Sequence, residues 1–259
     1  MKEQSAIPLH FKKAGNGPVL IILHGLFGSL DNWQSFSKTL SEKFTVYTLD
    51  LRNHGKSPHT DSFSYPLMAL DVIQFLEGNQ LNRVYLLGHS MGGKVVLEML
   101  HQAAPQIEKA IILDIAPKSY PRGHDSVFDA MFSLNLELTK TRIEADLKIM
   151  EYIPEFAVRQ FILKNLDRDK EGNFFWKPNL KALYENYSEI NKEINFKHPI
   201  QKDVLFVKGS LSPYLNAQDE RTIIEYLPHA QFKEVEGAGH WIHADKPLEL
   251  LEIVNLYFA

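Results

Sequence analysis

The stretch Arg83-Val84-Tyr85-Leu86-Leu87-Gly88-His89-Ser90-Met91-Gly92-Gly93-Lys94-Val95-Val96-Leu97 changes its hydrophobic period within a few residues, and that change leaves the surrounding fold little freedom. Up to Leu87 the run is dense and apolar like a buried strand; beyond Ser90 the spacing is that of a helix. A strand that turns at once into a helix crowds its own backbone, so Gly88 and Gly92 stand where a Cβ would clash. In that setting Gly-x-Ser-x-Gly is a nucleophile elbow. It holds Ser90 Oγ above the sheet edge, and the helix start offers free N–H groups and the positive end of its dipole to a developing oxyanion. A serine capping a helix after a chance match would do none of this, and the rest of the chain separates the two.

Before and after the elbow, strand and helix patterns alternate. Ala6 to Phe11 reads as a strand, and Gly15-Asn16-Gly17-Pro18 is turn chemistry leading into the apolar run Val19 to Leu23. His24-Gly25-Leu26-Phe27-Gly28 follows, and Asp31-Asn32 opens an amphipathic helix with Trp33, Phe36 and Leu40 on one face. Phe44 to Leu49 is the next strand, followed by the polar turn Asp50 to Ser57, a helix around Tyr65 to Leu76, the elbow strand, and Ile107 to Leu113 ending on Asp114. That order predicts a mostly parallel sheet covered on both faces.

From Pro117 to Pro199 the alternation stops. Helical patterns dominate at Phe128 to Phe132, Ile143 to Tyr152 and Glu155 to Leu166, with a polar break at Asp167 to Asn173 before Phe174-Phe175-Trp176. Such a block predicts an inserted helical cap over 117–199, with a core formed by 1–116 and 200–259. Its aromatics could wall a pocket or only glue cap to core. The alternation resumes with strands at Val204 to Val207 and Gln231 to Val235, and helices at Ala217 to Leu227 and Pro247 to Phe258.

Histidine 240 lies in Gly237-Ala238-Gly239-His240-Trp241, after the last strand, where a loop can reach across the sheet edge. Ser90 needs an imidazole to take its proton, and His240 is placed to do so. His243 has an equally plausible structural role, and His24 reads as a loop-orienting hydrogen-bonder. There is no cysteine, so disulfides, thiol nucleophiles and zinc–thiolate sites are excluded. A net charge of -4 gives no electrostatic reason to expect nucleic acid or an anionic membrane as partner. No apolar segment approaches a membrane span, and Met1 to Lys13 lacks the pattern of a secretory signal. The expected location is the cytoplasm.

Together these residues resemble the α/β-hydrolase superfamily over nearly the whole chain, through His24-Gly25, Asp50-x-Arg52-x-x-Gly55-x-Ser57, Gly88-x-Ser90-x-Gly92 and Gly239-His240 in the family's order. Within it the sequence resembles the small YbfF-type bacterial carboxylesterases, through His24 to Trp33 and Asp50 to Ser57. The resemblance implies an α/β-hydrolase fold and an oxyanion hole formed by the N–H groups of Leu26 and Met91. Arg52 and His24 become candidates to contact substrate, Arg52 through an anionic group, although a loop-bracing role suits that arginine better. One position departs from the family: where most relatives place the triad acid, Gly209-Ser210-Leu211-Ser212 ends in serine. A hydroxyl can orient an imidazole but cannot stabilise imidazolium with a full charge. Asp114, at the carboxyl end of the strand after the elbow helix, is therefore the expected acid, with Ser212 its assistant; Asp219 and Asp245 read as surface carboxylates.

The expected activity is cleavage of carboxylic esters, extending to acyl thioesters such as acyl-CoA, through a Ser90 acyl-enzyme. No metal or cofactor is implied. The expected partner is a small-molecule ester or thioester, acting on a monomer or homodimer. The alternatives are another chemistry on the same fold, such as carbon–carbon hydrolysis, a lyase or perhydrolysis, and a ligand-binding protein of low turnover, for which Ser212 is the one supporting feature.

Overall fold

The computed structural model describes residues 5–102 and 104–259; residues 1–4 of the expected core segment lie outside them. The central sheet has seven strands: β1 (Phe11–Ala14), β2 (Val19–Leu23), β3 (Thr45–Leu49), β4 (Val84–His89), β5 (Ile107–Leu113), β8 (Asp203–Gly209) and β9 (Ala230–Val235). Their spatial order is β1-β3-β2-β4-β5-β8-β9. Only β1, on the edge, runs antiparallel to its neighbour; the other pairings are parallel. Side chains alternate between the faces, as the period of two requires. Ile21, Leu86, Ile112 and Phe206 pack into one apolar core; Ile22, Leu87, Ile111 and Val207 enter the other.

The register explains where a site can form. Leu23 pairs with Gly88, His89 with Leu113, Leu113 with Val207, and Gly209 with Val235. The carboxyl ends of five parallel strands thus form one row, and the loops leaving them meet above it. The helix Met91–His101 is buried through Leu100 because it lies on the sheet with the helix Tyr65–Gly78 beside it.

Between β5 and β8 the chain forms five α-helices and a two-stranded hairpin, β6 (Leu166–Arg168) with β7 (Phe174–Trp176). This inserted helical region is tied to the strand-end loops: Asn165 Nδ2 donates to Phe27 O at 2.6 Å, Asn179 N to Asn53 O at 2.9 Å, and Tyr65 Oη to Ile190 O at 2.6 Å. No described helix is long and apolar enough to cross a membrane.

Two local expectations are corrected, and one segment without an assigned element is placed. The first strand is Phe11–Ala14, not Ala6 to Phe11; all four of its residues are exposed, so pairing and not burial defines it, and Pro8 cannot donate to a ladder. Phe174–Trp176 is a strand, because the polar break before it is the hairpin turn, with Gly172 at φ 88°. The helix expected from Asp31 begins as a 3₁₀ turn, Leu30–Trp33, with Ser29 and Asn32 forming a capping box before the α-helix Gln34–Leu40.

Candidate active site

Ser90 sits between strand and helix at φ 52° and ψ −118°, a conformation costly for any residue with a Cβ. The two flanking glycines make it possible. A Cβ on Gly88 would stand 2.4 Å from Gly92 O, and one on Gly92 2.5 Å from Leu23 O. Asp114 and Phe27 also take positive φ, 51° and 56°, at the ends of β5 and β2. Strain therefore gathers where the strand-end loops converge.

His240 Nδ1 lies 2.6 Å from Asp114 Oδ2. A carboxylate can only accept, so His240 carries its proton on Nδ1, and the lone pair is on Nε2. Asp114 is fully buried and accepts two further bonds: Ser212 Oγ–H donates to Oδ2, and Gly209 N–H to Oδ1 at 3.1 Å. The sequence reading did not single out two supports of His240. Its carbonyl accepts from His89 Nε2 at 2.9 Å, and Tyr214 stacks on its ring at 4.1 Å between centroids. His89 directly precedes the elbow serine and Tyr214 belongs to Ser212-Pro213-Tyr214, but nothing in either residue type advertises a contact with His240. His243 stacks on Trp33 at 4.4 Å. Asp245 accepts Gly239 N–H at 2.8 Å and so shapes the histidine loop, while Asp219 pairs with Lys118 at 2.7 Å.

The loop after β2 presses against the elbow: a Cβ on Gly25 would lie 3.2 Å from Ser90 Cβ. Leu26 and Met91 line the same cavity as Ser90, and among the described residues neither N–H has a protein acceptor. Two buried histidines brace this loop. Leu51 N donates to His24 Nε2 at 3.0 Å, so His24 Nδ1–H donates to Gly25 O at 2.8 Å. His54 does the same, accepting from Phe27 N at 3.3 Å and donating from Nδ1 to Arg52 O at 2.9 Å. With both ring nitrogens engaged, His24 is the loop-orienting hydrogen-bonder of the sequence reading, and it also borders the smaller cavity described below.

Arg52 takes the loop-bracing role that suits it better in the sequence, and not the contact with an anionic substrate group. It is 1% exposed, and it grips Asp71 through two bonds of 2.6 Å while donating to Ser62 O at 3.1 Å. Its guanidinium faces none of the cavities described below. Asp50 from the same motif accepts from Leu30 N at 2.8 Å and Lys56 N at 2.9 Å. The Asp50-to-Ser57 segment is thus spent on closing its loop.

Burial lowers the pKa of His24 to about 4 and that of His54 to about 3. In the unfolded chain both titrate near 6.5. Between the two sets of values the unfolded chain binds more protons, so stability rises with pH through that window and is lost as pH falls. Denaturant unfolding at about pH 5 should show a lower midpoint than at about pH 7, on the order of 1 kcal/mol per pH unit for each histidine. Equal midpoints would contradict a neutral, buried pair.

Ser90 borders two cavities. The larger, about 500 Å³, runs between the elbow helix and the inserted region and includes Met91, Lys94 and Tyr120. The smaller, about 80 Å³, contains His240, His89 and Trp241. Ser90 Oγ and His240 make no hydrogen bond, a contact that often closes only around substrate. His124, from the inserted region, borders both cavities. Tyr187 Oη accepts from Gly123 N at 3.3 Å and His124 N at 3.0 Å, so its proton goes to His124 Nδ1 and leaves Nε2–H facing the cavities. Among the described residues no cluster could hold a metal ion.

The α/beta hydrolase fold family model matches residues 18–247. Esterase YbfF of Escherichia coli is 34% identical over 246 residues, covering 93% of each chain. The sn-1-specific diacylglycerol lipase ABHD11 of Xenopus laevis is 35% identical, over 92% of this chain and 78% of that one. Among solved structures, a marine microorganism esterase superposes with a TM-score of 0.94 at 37% identity, covering 96% of this chain and 99% of that one. With the family model spanning most of its length and relatives this similar along nearly all of it, the chain belongs to the α/β-hydrolase family, in the group that includes esterase YbfF and ABHD11.

Proposed function

We propose that the protein is a cofactor-free serine hydrolase of carboxylic esters, acting through an acyl-enzyme on Ser90. One observation carries this reading: Asp114 holds His240 by Nδ1, leaving Nε2 free, and His240 and the serine on the strained elbow border one cavity. In the first half-reaction His240 Nε2 takes the Ser90 proton as Oγ attacks the ester carbonyl, and Asp114 stabilises the imidazolium. The N–H groups of Leu26 and Met91 donate to the oxyanion. The imidazolium then protonates the departing alcohol. Water, deprotonated by the same nitrogen, releases the acid and restores Ser90. The 117–199 segment serves as the cap, since residues 118–121, 123, 124, 190 and 191 wall the larger cavity.

The relatives named as an esterase and a diacylglycerol lipase support oxygen esters; thioester cleavage would use the same acyl-enzyme. The low-turnover binding alternative drew its support from Ser212, and Asp114 supplies the acid that Ser212 cannot. Nitrophenyl esters and acyl-CoA thioesters of graded chain length test the reading. Turnover of the nitrophenyl series, lost after fluorophosphonate treatment, is expected; a folded protein inert to every ester would contradict it.

A further inference from the structure

Lys94 lies in the first turn of the elbow helix, four residues beyond Ser90 at its N-cap, and the two residues line one cavity. It is 1% exposed and borders the cavity that also contains Ser90 and Met91. Its Nζ donates to the carbonyl of Lys192 and stands 5.4 Å from the Tyr65 ring and 4.8 Å from the Tyr120 ring. Neither phenol can neutralise it: Tyr65 Oη donates to Ile190 O and Tyr120 Oη to Tyr214 O, both at 2.6 Å. Among the described residues no carboxylate forms an ion pair with Lys94, and Glu193, which attracts it, is exposed. A second cation, Lys118, borders the same cavity with its charge shared by Asp219 at 2.7 Å, and no Asp or Glu lines it. A buried ammonium without a counter-ion is costly, and burial lowers the Lys94 pKa to about 7.

We propose that this cavity accepts an acyl chain ending in a carboxylate and that Lys94 is the residue selecting it, pairing with that carboxylate while the ester carbonyl lies at Ser90. The proposal rests on the esterase reading above. A carboxylate supplies the counter-ion the cavity lacks and makes charge-assisted hydrogen bonds with the ammonium. Ser90 and Lys94 line the same cavity of about 500 Å³, which leaves room for a spacer of a few methylenes, as in a half-ester of a dicarboxylic acid. If Lys94 only tied the elbow helix to Lys192, the enzyme would not distinguish a distal carboxylate from its methyl ester.

The test compares kcat/KM of the full chain for the nitrophenyl half-ester of adipic acid and for the same compound with its free carboxylate methylated. Wild type should prefer the charged ester by about 10- to 100-fold, the range for a hydrogen bond to a charged group. In Lys94→Met the charged-to-methylated ratio should fall at least about tenfold. In wild type the ratio should also decline from about pH 6 to about pH 9 as Lys94 loses its proton. Of the groups facing Lys94, Glu193 is shifted down, Tyr65 and Tyr120 are raised by burial, and Lys118 is paired with Asp219. Equal or faster hydrolysis of the methylated ester by wild type overturns the proposal even if the variant does not fold, as does an unchanged ratio in a folded Lys94→Met. If folded wild type also fails on the whole nitrophenyl ester series, the esterase reading itself falls and the proposal with it; turnover of any of those esters without the preference removes only the proposal.

Discussion

Ser90→Ala should lower kcat for a nitrophenyl ester by roughly 10⁶, the order seen when a catalytic-triad serine is removed. The substitution deletes only Oγ. It keeps the Cβ that the elbow already tolerates at φ 52°, and it leaves the Gly88 and Gly92 contacts in place. Binding and the two loop N–H groups would still act, so a residual rate about 10³–10⁴ above water is compatible with the mechanism. Substantial activity in a pure, folded variant would show that the nucleophile lies elsewhere.

Asp114→Asn should cost about 10⁴ in kcat at neutral pH, the order measured for the equivalent change in a serine protease. Asp114 accepts from His240, Ser212 and Gly209 at once. An amide cannot accept through its NH₂ group, so one donor would meet another, the tautomer of His240 would be disturbed, and the imidazolium would lose its countercharge. Ser212→Ala removes one of three donors and leaves the charge, so its cost should be about tenfold or less, in line with a single hydrogen bond near 1 kcal/mol. Steady-state kinetics on both variants, with circular dichroism to confirm folding, would decide. A nearly silent Asp114→Asn, or a larger loss from Ser212→Ala, would leave Ser212 orienting a catalytic dyad.

What the sequence made legible follows from period and punctuation. The apolar runs at Val19, Val84, Ile107 and Val204 announce central strands because those strands are buried on both faces. β1 and the β6–β7 hairpin were missed because exposed or three-residue strands leave no such run. Ser90 and His240 could be picked out because elbow and loop chemistry mark them locally. Asp114 could be placed by its position at a strand end, although its three hydrogen bonds depend on β5 and β8 lying side by side. Tyr214 against His240, Tyr187 against His124 and Lys94 among two tyrosines join residues far apart in the chain. No periodicity encodes such pairs. Arg52 could be read as a loop brace, yet its partner Asp71, which holds it with bonds of 2.6 Å, is identified only by the fold.

If Ser90 is the acylated residue, the covalent adduct is where that is seen most directly. Wild type mixed with a nitrophenyl ester and quenched in acid during turnover should gain the mass of one acyl group, and peptide mapping should place it on Ser90. Turnover with no trapped acyl group in the wild-type enzyme under burst conditions, or an adduct mapped to any other residue, would contradict it.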